Sequence, residues 1–531
     1  MGSHPPTRPA RQPLLRPATR SQRAPKDPSC YASANGRELP VSVSQSDRFE
    51  TVTRITTSSS TWLEPATRSR NLARLAGAAR VDLTPELGVS LMGYGARVGT
   101  AQSVADRLHA RAIALDDGGT NRLIAVSADL CLMAPEQALS VRERIAAATG
   151  VGVPRILVAC THTHSGPDTG LADLLAGRPA PPHVPAILEG IAAAAIQAWH
   201  GREPAGLAWT RTRARIGRNR RVEDAPIDEG VEVLRIDAVS GRPIAVLFRH
   251  SCHGTVRGHD SLEISADWPG AAAGAIEAET GAIAVFLLGA HADVDPRTRG
   301  LMDLAIPGQS VGLGAEAVRV LGREVADAVL ASLDGAVPDP IDDARVTAGT
   351  RAVRLAIHLG DRSPEAARAE LEQRKLRIAE LLGVTAESLP RLAELWDLAS
   401  RATRGLPMAE AREAIAQVRL YVRDKTSPFF VMNRRELDVE LQVLRIGRAV
   451  LLGLPLEPTT QVGFDWRDRI GPARIGAVIG IANGWLRYLP HAADLSHPRA
   501  HWHYEVLQSL LAPGASEALL DAGESLAREL D

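Results

Sequence analysis

Apolar segments of strand length alternate with segments of helix length along most of this chain, and this alternation constrains the fold more than any other feature. Residues 155–160 and 243–248 are almost entirely apolar, and segments with helical spacing of apolar residues lie at 135–150 and 268–280. Strands without polar alternation are typical of sheets that are covered on both faces. The pattern predicts an α/β protein with a mixed β-sheet core flanked by helices, and with functional sites at strand ends.

Two stretches depart from this alternation. Residues 1–72 show no sustained apolar period, which predicts a disordered N-terminal extension ahead of a catalytic domain at 73–531. Residues 362–422 carry apolar residues at helical spacing among paired charges, which predicts a helical insertion. Because this insertion contains neither histidine nor cysteine, we expect it to shape or cover a site without supplying metal ligands.

Charge and composition exclude several classes of protein. The formal net charge of −1 provides no overall field for nucleic acid or an anionic membrane surface. The 4 cysteines have no regular spacing, so a disulfide framework is not expected. The sequence contains neither a secretory apolar stretch nor a run of about 18 uncharged apolar residues. We therefore expect a cytoplasmic protein without a transmembrane segment.

The strongest local signal is the segment Thr-His-Thr-His-Ser-Gly-Pro, which follows the predicted strand at 155–160. Residues two apart on an extended strand face the same side, so His162 and His164 can point into one cavity. Alternatively, one of them is exposed or serves only as a structural histidine. The position at a strand end favours metal binding or catalysis.

Two further segments present ligand-type side chains after apolar strands. His250 and His253 follow the predicted strand at 243–248, and Glu457 follows another apolar run. Each histidine alone could be structural, and Glu457 could cap a helix. A carboxylate at such a position nevertheless needs a cation or several hydrogen-bond donors. Converging histidine and carboxylate side chains are what a zinc site requires.

The order of these segments resembles the neutral, non-lysosomal ceramidase family over about residues 75 to 510. Four elements carry the resemblance, namely THTHSGP at 161–167, HGT at 253–255 together with ISAD at 264–267, GLPLEPTT at 453–460, and IANG at 481–484 with tyrosines downstream. No one of them is decisive, but four in the same order are specific.

The resemblance implies a zinc metallohydrolase that cleaves the linear amide bond of an N-acylated, ceramide-like small molecule. It implies four zinc ligands, namely His162, His253, Glu457 and Tyr488, with water completing the coordination. It also implies that three residues act on the substrate, namely His164, Arg220 and Tyr504. Zinc would lower the pKa of its bound water from about 15.7 toward 7 and so supply hydroxide at neutral pH.

The sequence departs from the family at three places. The stretch around Tyr488 reads Gly-Trp-Leu-Arg-Tyr-Leu-Pro. The match between Tyr488 and the tyrosine ligand of the family therefore depends on one aromatic residue. A histidine-rich segment follows, whose His497, His501 and His503 could replace or supplement a ligand or form a solvated loop. We also expect neither the C-terminal β-sandwich nor the export signal of full-length ceramidases, which leaves long-chain ceramide in question as the substrate.

Other readings of the same sequence remain open. The site could act on a smaller N-acyl compound, an ester or a lactone, or belong to a non-catalytic metal-binding relative. A lysine-bridged binuclear centre is not favoured, because no lysine lies between Lys26 and Lys375. A cysteine hydrolase using Cys160 or Cys252 is a further alternative, although we expect both thiols to be buried. Five other residues could line the same cavity, namely Asp129, Asp267, His291, Asp293 and Asp295.

Overall fold

The computed structural model describes residues 74–531, apart from 96, 176, 223, 299–313, 339–344, 358–363, 390–394, 396–398, 400–405, 427–434, 498–499 and 501–502. The segment 1–72, for which disorder is predicted, lies outside the described residues. The described residues belong to one compact unit.

The strands are numbered along the chain. They are β1 (Leu75–Asp82), β2 (Ser103–Val104), β3 (His109–Asp116), β4 (Arg122–Ala128), β5 (Ile156–Cys160), β6 (Glu203–Arg213), β7 (Gly217–Asn219), β8 (Gly230–Ala238), β9 (Pro243–His250), β10 (Glu263–Ile264), β11 (Ile283–Leu288), β12 (Val294–Pro296), β13 (Val337–Pro338), β14 (Val346–Ala356), β15 (Glu436–Ile446), β16 (Ala449–Gly453), β17 (Glu457–Pro458), β18 (Ile475–Ile479) and β19 (Tyr488–Leu489).

The helices are numbered in the same way. They are α1 (Pro135–Thr149), α2 (Leu171–Leu175), α3 (Val184–His200), α4 (Asp267–Thr280), α5 (Gly314–Ser332), α6 (Pro364–Leu382), α7 (Met408–Thr426), α8 (Thr460–Ile470), α9 (Ala492–Ser496), α10 (Tyr504–Gln508) and α11 (Ala515–Glu529). Short 3₁₀ turns lie at Val153–Arg155, Leu333–Gly335 and Ala386–Ser388. No helix in the described part of the chain has the length and apolarity needed to cross a membrane.

Two sheets form the centre of the fold. The larger has nine strands in the order β11-β9-β8-β6-β1-β3-β4-β5, with β13 beside β6, and the smaller has the order β14-β15-β16-β18. Three pairs, β4 with β5, β9 with β11 and β16 with β18, are parallel, whereas the other pairs in these two sheets are antiparallel. The mixed sheet core expected from the sequence is therefore confirmed.

The sheets are buried on both faces, which explains their apolar strands. In β3, Ala112 and Ala114 pack in a cluster with α1, α3, α4 and α5, whereas Ile113 and Leu115 pack in a cluster shared with the smaller sheet. The other face of the smaller sheet packs against α8 and α11. Successive residues of one strand thus enter different cores, so neither face can be polar.

The curvature of the larger sheet brings distant strand ends together. Although β5 and β11 lie at opposite ends of its hydrogen-bonding order, β11 also contacts β3, β4 and β5. The segments that leave β5, β9 and β11 can therefore converge.

The helical insertion expected near 362–422 is also found. Helices α6 and α7 pack against each other through residues such as Ile378 and Val418, and Leu507 of α10 joins the same apolar cluster. The insertion therefore rests on the short helix that begins at Tyr504. Helix α5 and strand β14 were not among the elements expected from the sequence.

Candidate metal centre

Four buried side chains from separate strand ends meet at one point. The Nε2 atoms of His162, His253 and His291 lie 3.4, 3.4 and 3.5 Å from Glu457 Oε2. One ligand atom from each of the four residues lies within 4.8 Å of every other. The histidines follow β5, β9 and β11 of the larger sheet, and Glu457 follows β16 of the smaller sheet. This group has the residue types and spacing of a metal site.

A backbone contact between two loops sets His162 beside His253. Thr163 and Gly254 form a parallel β-bridge, and the amide of His164 donates to the carbonyl of Gly254 over 3.0 Å. A side chain at position 254 would place its Cβ 2.9 Å from the carbonyl oxygen of His162. Glycine is therefore required for this approach, which aligns the residues that precede the bridge.

Each imidazole is oriented by its other nitrogen. The Nδ1 atom of His162 donates to the carbonyl of Cys131 over 2.8 Å, that of His253 to Val294 over 3.0 Å, and that of His291 to Gly289 over 2.8 Å. Because a carbonyl can only accept, each Nδ1 carries a proton, and in the neutral ring Nε2 is the nitrogen that presents a lone pair. Metal-binding histidines are commonly held in this way.

The pKa values of the four converging side chains depend strongly on one another. Burial is the largest influence on the pKa of Glu457 and raises it, but His162 and the other imidazoles together hold that pKa well below its usual range. Burial lowers the pKa of His253 to about 3, and the nearby Arg220 contributes in the same direction. Burial also lowers the pKa of His291. Burial lowers the pKa of His162 as well, but Glu457 raises it well above its usual range, so a metal that binds this imidazole displaces a proton.

His164 lies beside the four-residue group but does not belong to it. Its Nε2 is 3.2 Å from Nε2 of His162. The chain is not extended at this point, because His162 has a left-handed backbone with a φ of 63°. The rings of His162 and His164 nevertheless lie next to each other. Non-glycine residues in this region are strained, and such residues concentrate at functional sites.

The remaining predicted site residues form a wall next to the imidazoles. Arg220 Nη1 lies 3.5 Å from His253 Nε2, and Arg220 Nε donates to Glu505 over 2.7 Å. The rings of Tyr488 and Tyr504 are 5.2 Å apart, and the Arg220 guanidinium lies 5.4 Å from the Tyr504 ring. The structure thus brings all seven predicted site residues into one region.

The acidic residues proposed as cavity lining have other partners. Asp129 pairs with Arg111, and Asp267 accepts three backbone amides from Val256, Arg257 and Trp268. Asp293 accepts the amide and hydroxyl of Thr460. These carboxylates order the loops around the site. Asp295 lies closer to the site, with Oδ1 at 3.5 Å from Arg220 Nη1.

In the described part of the chain, Cys160, Cys252 and the histidine-rich segment join no potential metal group, whereas Cys131 forms a second one with His162 and His164. Cys160 and Cys252 are buried, as expected, and burial raises the pKa of the Cys160 thiol. The rings of His497 and His503 lie 4.8 Å apart, and His501 lies outside the described residues. Among the described residues, every potential metal group of histidine, cysteine and acidic side chains includes His162.

From the sequence, His291 was expected only to line the cavity, and three other residues of the site were not identified. His291 follows the apolar strand β11 by three positions, the same signal that drew attention to His253 after β9. Glu505, which holds Arg220, and Tyr94, whose ring packs 4.8 Å from that of His164, carried no local signal. Cys131, whose carbonyl orients His162, was equally inconspicuous.

Comparison with known proteins identifies relatives of this architecture. Residues 75–302 match the family model for the N-terminal part of neutral/alkaline non-lysosomal ceramidases. Neutral ceramidases B and A of Dictyostelium discoideum are 28% identical over 256 and 259 residues, which are 42% of this chain and 36% of each relative. The chain thus aligns with little more than a third of the length of these relatives.

Solved structures share the fold. A ceramidase complexed with C2 superimposes with a TM-score of 0.63 at 21% identity, covering 87% of this chain and 75% of that one. The neutral ceramidase from Pseudomonas aeruginosa superimposes with a TM-score of 0.61 at the same identity and coverage. Residues 75–302 are therefore similar to the N-terminal part of the neutral/alkaline non-lysosomal ceramidases, and the solved structures show that the fold is shared beyond that segment.

Proposed function

We propose that this protein is a zinc-dependent hydrolase that cleaves the amide bond of an N-acylated, ceramide-like substrate. The observation that carries the proposal is the convergence of three imidazole Nε2 atoms on one carboxylate oxygen of Glu457. The names of the curated relatives support an amide of the ceramide type as the substrate.

The donor set fits zinc. Imidazole nitrogen and carboxylate oxygen are common zinc ligands, and tetrahedral bonds of about 2.0–2.2 Å place ligand atoms about 3.3–3.6 Å apart. The three distances from Glu457 Oε2 to the imidazoles, 3.4, 3.4 and 3.5 Å, fall in that range. Neither Glu457 Oε2 nor His291 Nε2 has a hydrogen-bond partner among the described residues. A cation would satisfy both buried atoms.

A bound zinc ion supplies Lewis acidity and lowers the pKa of water to about 7. In the proposed reaction, water adds its hydroxyl group to the acyl carbon, and the amine leaves with a proton. His164 Nε2, which lies beside the imidazole group, passes that proton to the departing nitrogen. Arg220 and Tyr504 face the same region and donate hydrogen bonds to the amide oxygen as negative charge develops on it.

The decisive experiment measures metal content and hydrolysis on the same samples of wild type, His162→Ala and His200→Ala. The substrate panel contains N-acyl amides and matched esters. We expect about one zinc ion per wild-type chain, amide turnover, and the loss of both in His162→Ala. His200 is exposed at the end of α3, so His200→Ala should resemble the wild type.

Two results would contradict the proposal. An active wild type without metal would exclude the zinc mechanism and direct attention to Cys160 and Cys252. A zinc-loaded protein that turns over no amide or ester of the panel would indicate a metal-binding relative without catalysis. Faster turnover of esters than of their matched amides would change the substrate class but retain the metal chemistry.

A further inference from the structure

We propose that His291, and not Tyr488, is the fourth protein ligand of the metal. The ligand set is then His162, His253, His291 and Glu457, and Tyr488 belongs to the substrate wall. This inference rests on the proposed metal-dependent function. It concerns which side chains of this chain hold the ion.

The position of His291 is equivalent to those of the other two histidines. Its Nε2 lies 3.5 Å from Glu457 Oε2, compared with 3.4 Å for both His162 and His253. Its ring centroid is 4.7 Å from that of His253 and 5.1 Å from that of His162. An ion that binds two of these imidazoles and the carboxylate therefore lies within reach of the third.

The hydrogen bonding of His291 prepares Nε2 for a metal. Nδ1 donates to the carbonyl of Gly289, and the opposite nitrogen is buried without a hydrogen-bond partner among the described residues. Leaving such a buried polar atom unsatisfied costs about 1–3 kcal/mol. His250 has the same Nδ1 arrangement, to the carbonyl of Gly230, but lies outside the metal group, so burial alone does not place a histidine there.

The surrounding backbone keeps the His291 ring in place. A Cβ at position 480 would lie 3.0 Å from Cε1 of this ring, so Gly480 allows the ring to pack against the chain that follows β18. The amide of Ala292 donates to the carbonyl of Pro458 over 3.0 Å, which joins the His291 segment to the strand that carries Glu457. His291 and Glu457 are therefore positioned together.

Tyr488 is paired with Glu457 through the backbone of β17 and β19, but its ring lies among a different set of side chains. Its ring lies 5.2 Å from that of Tyr504 and 6.0 Å from the Arg220 guanidinium, on the wall assigned to the substrate. Glu457 Oε1 accepts from the indole of Trp485 over 2.8 Å, which leaves Oε2 for the metal. Three imidazoles and this oxygen already complete a four-donor protein set. The Tyr488 hydroxyl is then available to donate to the substrate.

The test compares zinc affinity in wild type, His291→Ala, Tyr488→Phe and His250→Ala, measured by competition with a chromogenic chelator. Removing an outer-shell partner of a ligand commonly costs about 10–100-fold in affinity, so loss of a true ligand should cost His291→Ala at least about 100-fold. Tyr488→Phe and His250→Ala should remain within about threefold of the wild type. Tyr488→Phe should nevertheless lose turnover.

X-ray absorption at the zinc edge of the wild type provides a measurement that does not depend on variant folding. Three imidazoles per zinc would support the proposal, and two imidazoles would overturn it. Near-wild-type zinc affinity in His291→Ala, with loss of zinc in Tyr488→Phe, would overturn it as well. A wild type that binds no zinc would instead contradict the proposed function, so the two failures are distinguishable.

Discussion

At the scale of single residues, the position of His164 depends on a glycine from a distant loop. Gly93 has a φ of 109°, and a Cβ there would lie 2.4 Å from Cγ of His164. The next residue, Tyr94, packs its ring against His164 and donates its hydroxyl to the carbonyl of Arg257 over 2.7 Å. The loop therefore fixes the ring to which we assign the proton transfer.

We expect Gly93→Ala to reduce kcat without reducing metal content. The added methyl group must displace the His164 ring, and loss of a positioned general acid costs about 10²–10⁴-fold. The metal group does not include His164 and should remain intact. Gly88→Ala is the matched control, because Gly88 has a similar φ of 92° with no atom within 4 Å of its added Cβ. Equal losses in both variants would show that backbone strain is responsible and that His164 is not displaced.

At the scale of elements, local sequence patterns predicted the strands, the helices and the places where polar residues leave them. His162, His253 and Glu457 were found in this way, because each follows a buried apolar strand. The contacts that assemble them were not predictable, since the bridge from Thr163 to Gly254 joins segments about ninety residues apart. Glu505 lies on the short helix α10 and Tyr94 in the loop before β2, so no periodic pattern marks them and their roles depend on tertiary contacts alone.

The helical insertion contacts the predicted site through Arg419, and no sequence pattern predicts this contact. The guanidinium of Arg419 in α7 lies 4.6 Å from the centroid of the Tyr504 ring, and Gln508 of α10 donates to the Arg419 carbonyl over 3.1 Å. A desolvated cation–π contact contributes about 1–2 kcal/mol, so Arg419→Gln should lower kcat/KM roughly 5- to 30-fold with metal content unchanged. Steady-state kinetics and elemental analysis measure both quantities.

Arg377→Gln provides the control for that substitution. Arg377 lies on the exposed surface of α6, where it pairs with Glu380 and Glu413. Because exposed ion pairs contribute little to stability, its loss should leave kcat/KM within about twofold of the wild type. Equal kinetic constants in the two variants would show that the insertion does not act on the site through Arg419.

At the scale of the whole molecule, the proposed ion would connect the two sheets. Three ligands follow strands of the larger sheet and Glu457 follows a strand of the smaller one. Metal binding would therefore add a contact between layers that already share an apolar core and hydrogen bonds such as that from the Trp209 indole to the Ile446 carbonyl. A ligand that binds the native state alone stabilises it by about 4 kcal/mol at 1,000 times its Kd. Folding stability and metal occupancy should therefore change together.

We expect chelation to lower Tm by several degrees and added zinc to restore it. For a unit of this size, a change of about 4 kcal/mol corresponds to roughly 4 °C, because the unfolding entropy grows with chain length. Scanning calorimetry of wild type with and without chelator measures the shift, and elemental analysis verifies removal of the metal. Glu457→Gln should show a smaller response to chelator and zinc than the wild type, since the three imidazoles remain but the carboxylate ligand is absent. An unchanged Tm in verified metal-free wild type would mean that the two layers hold their positions without the ion.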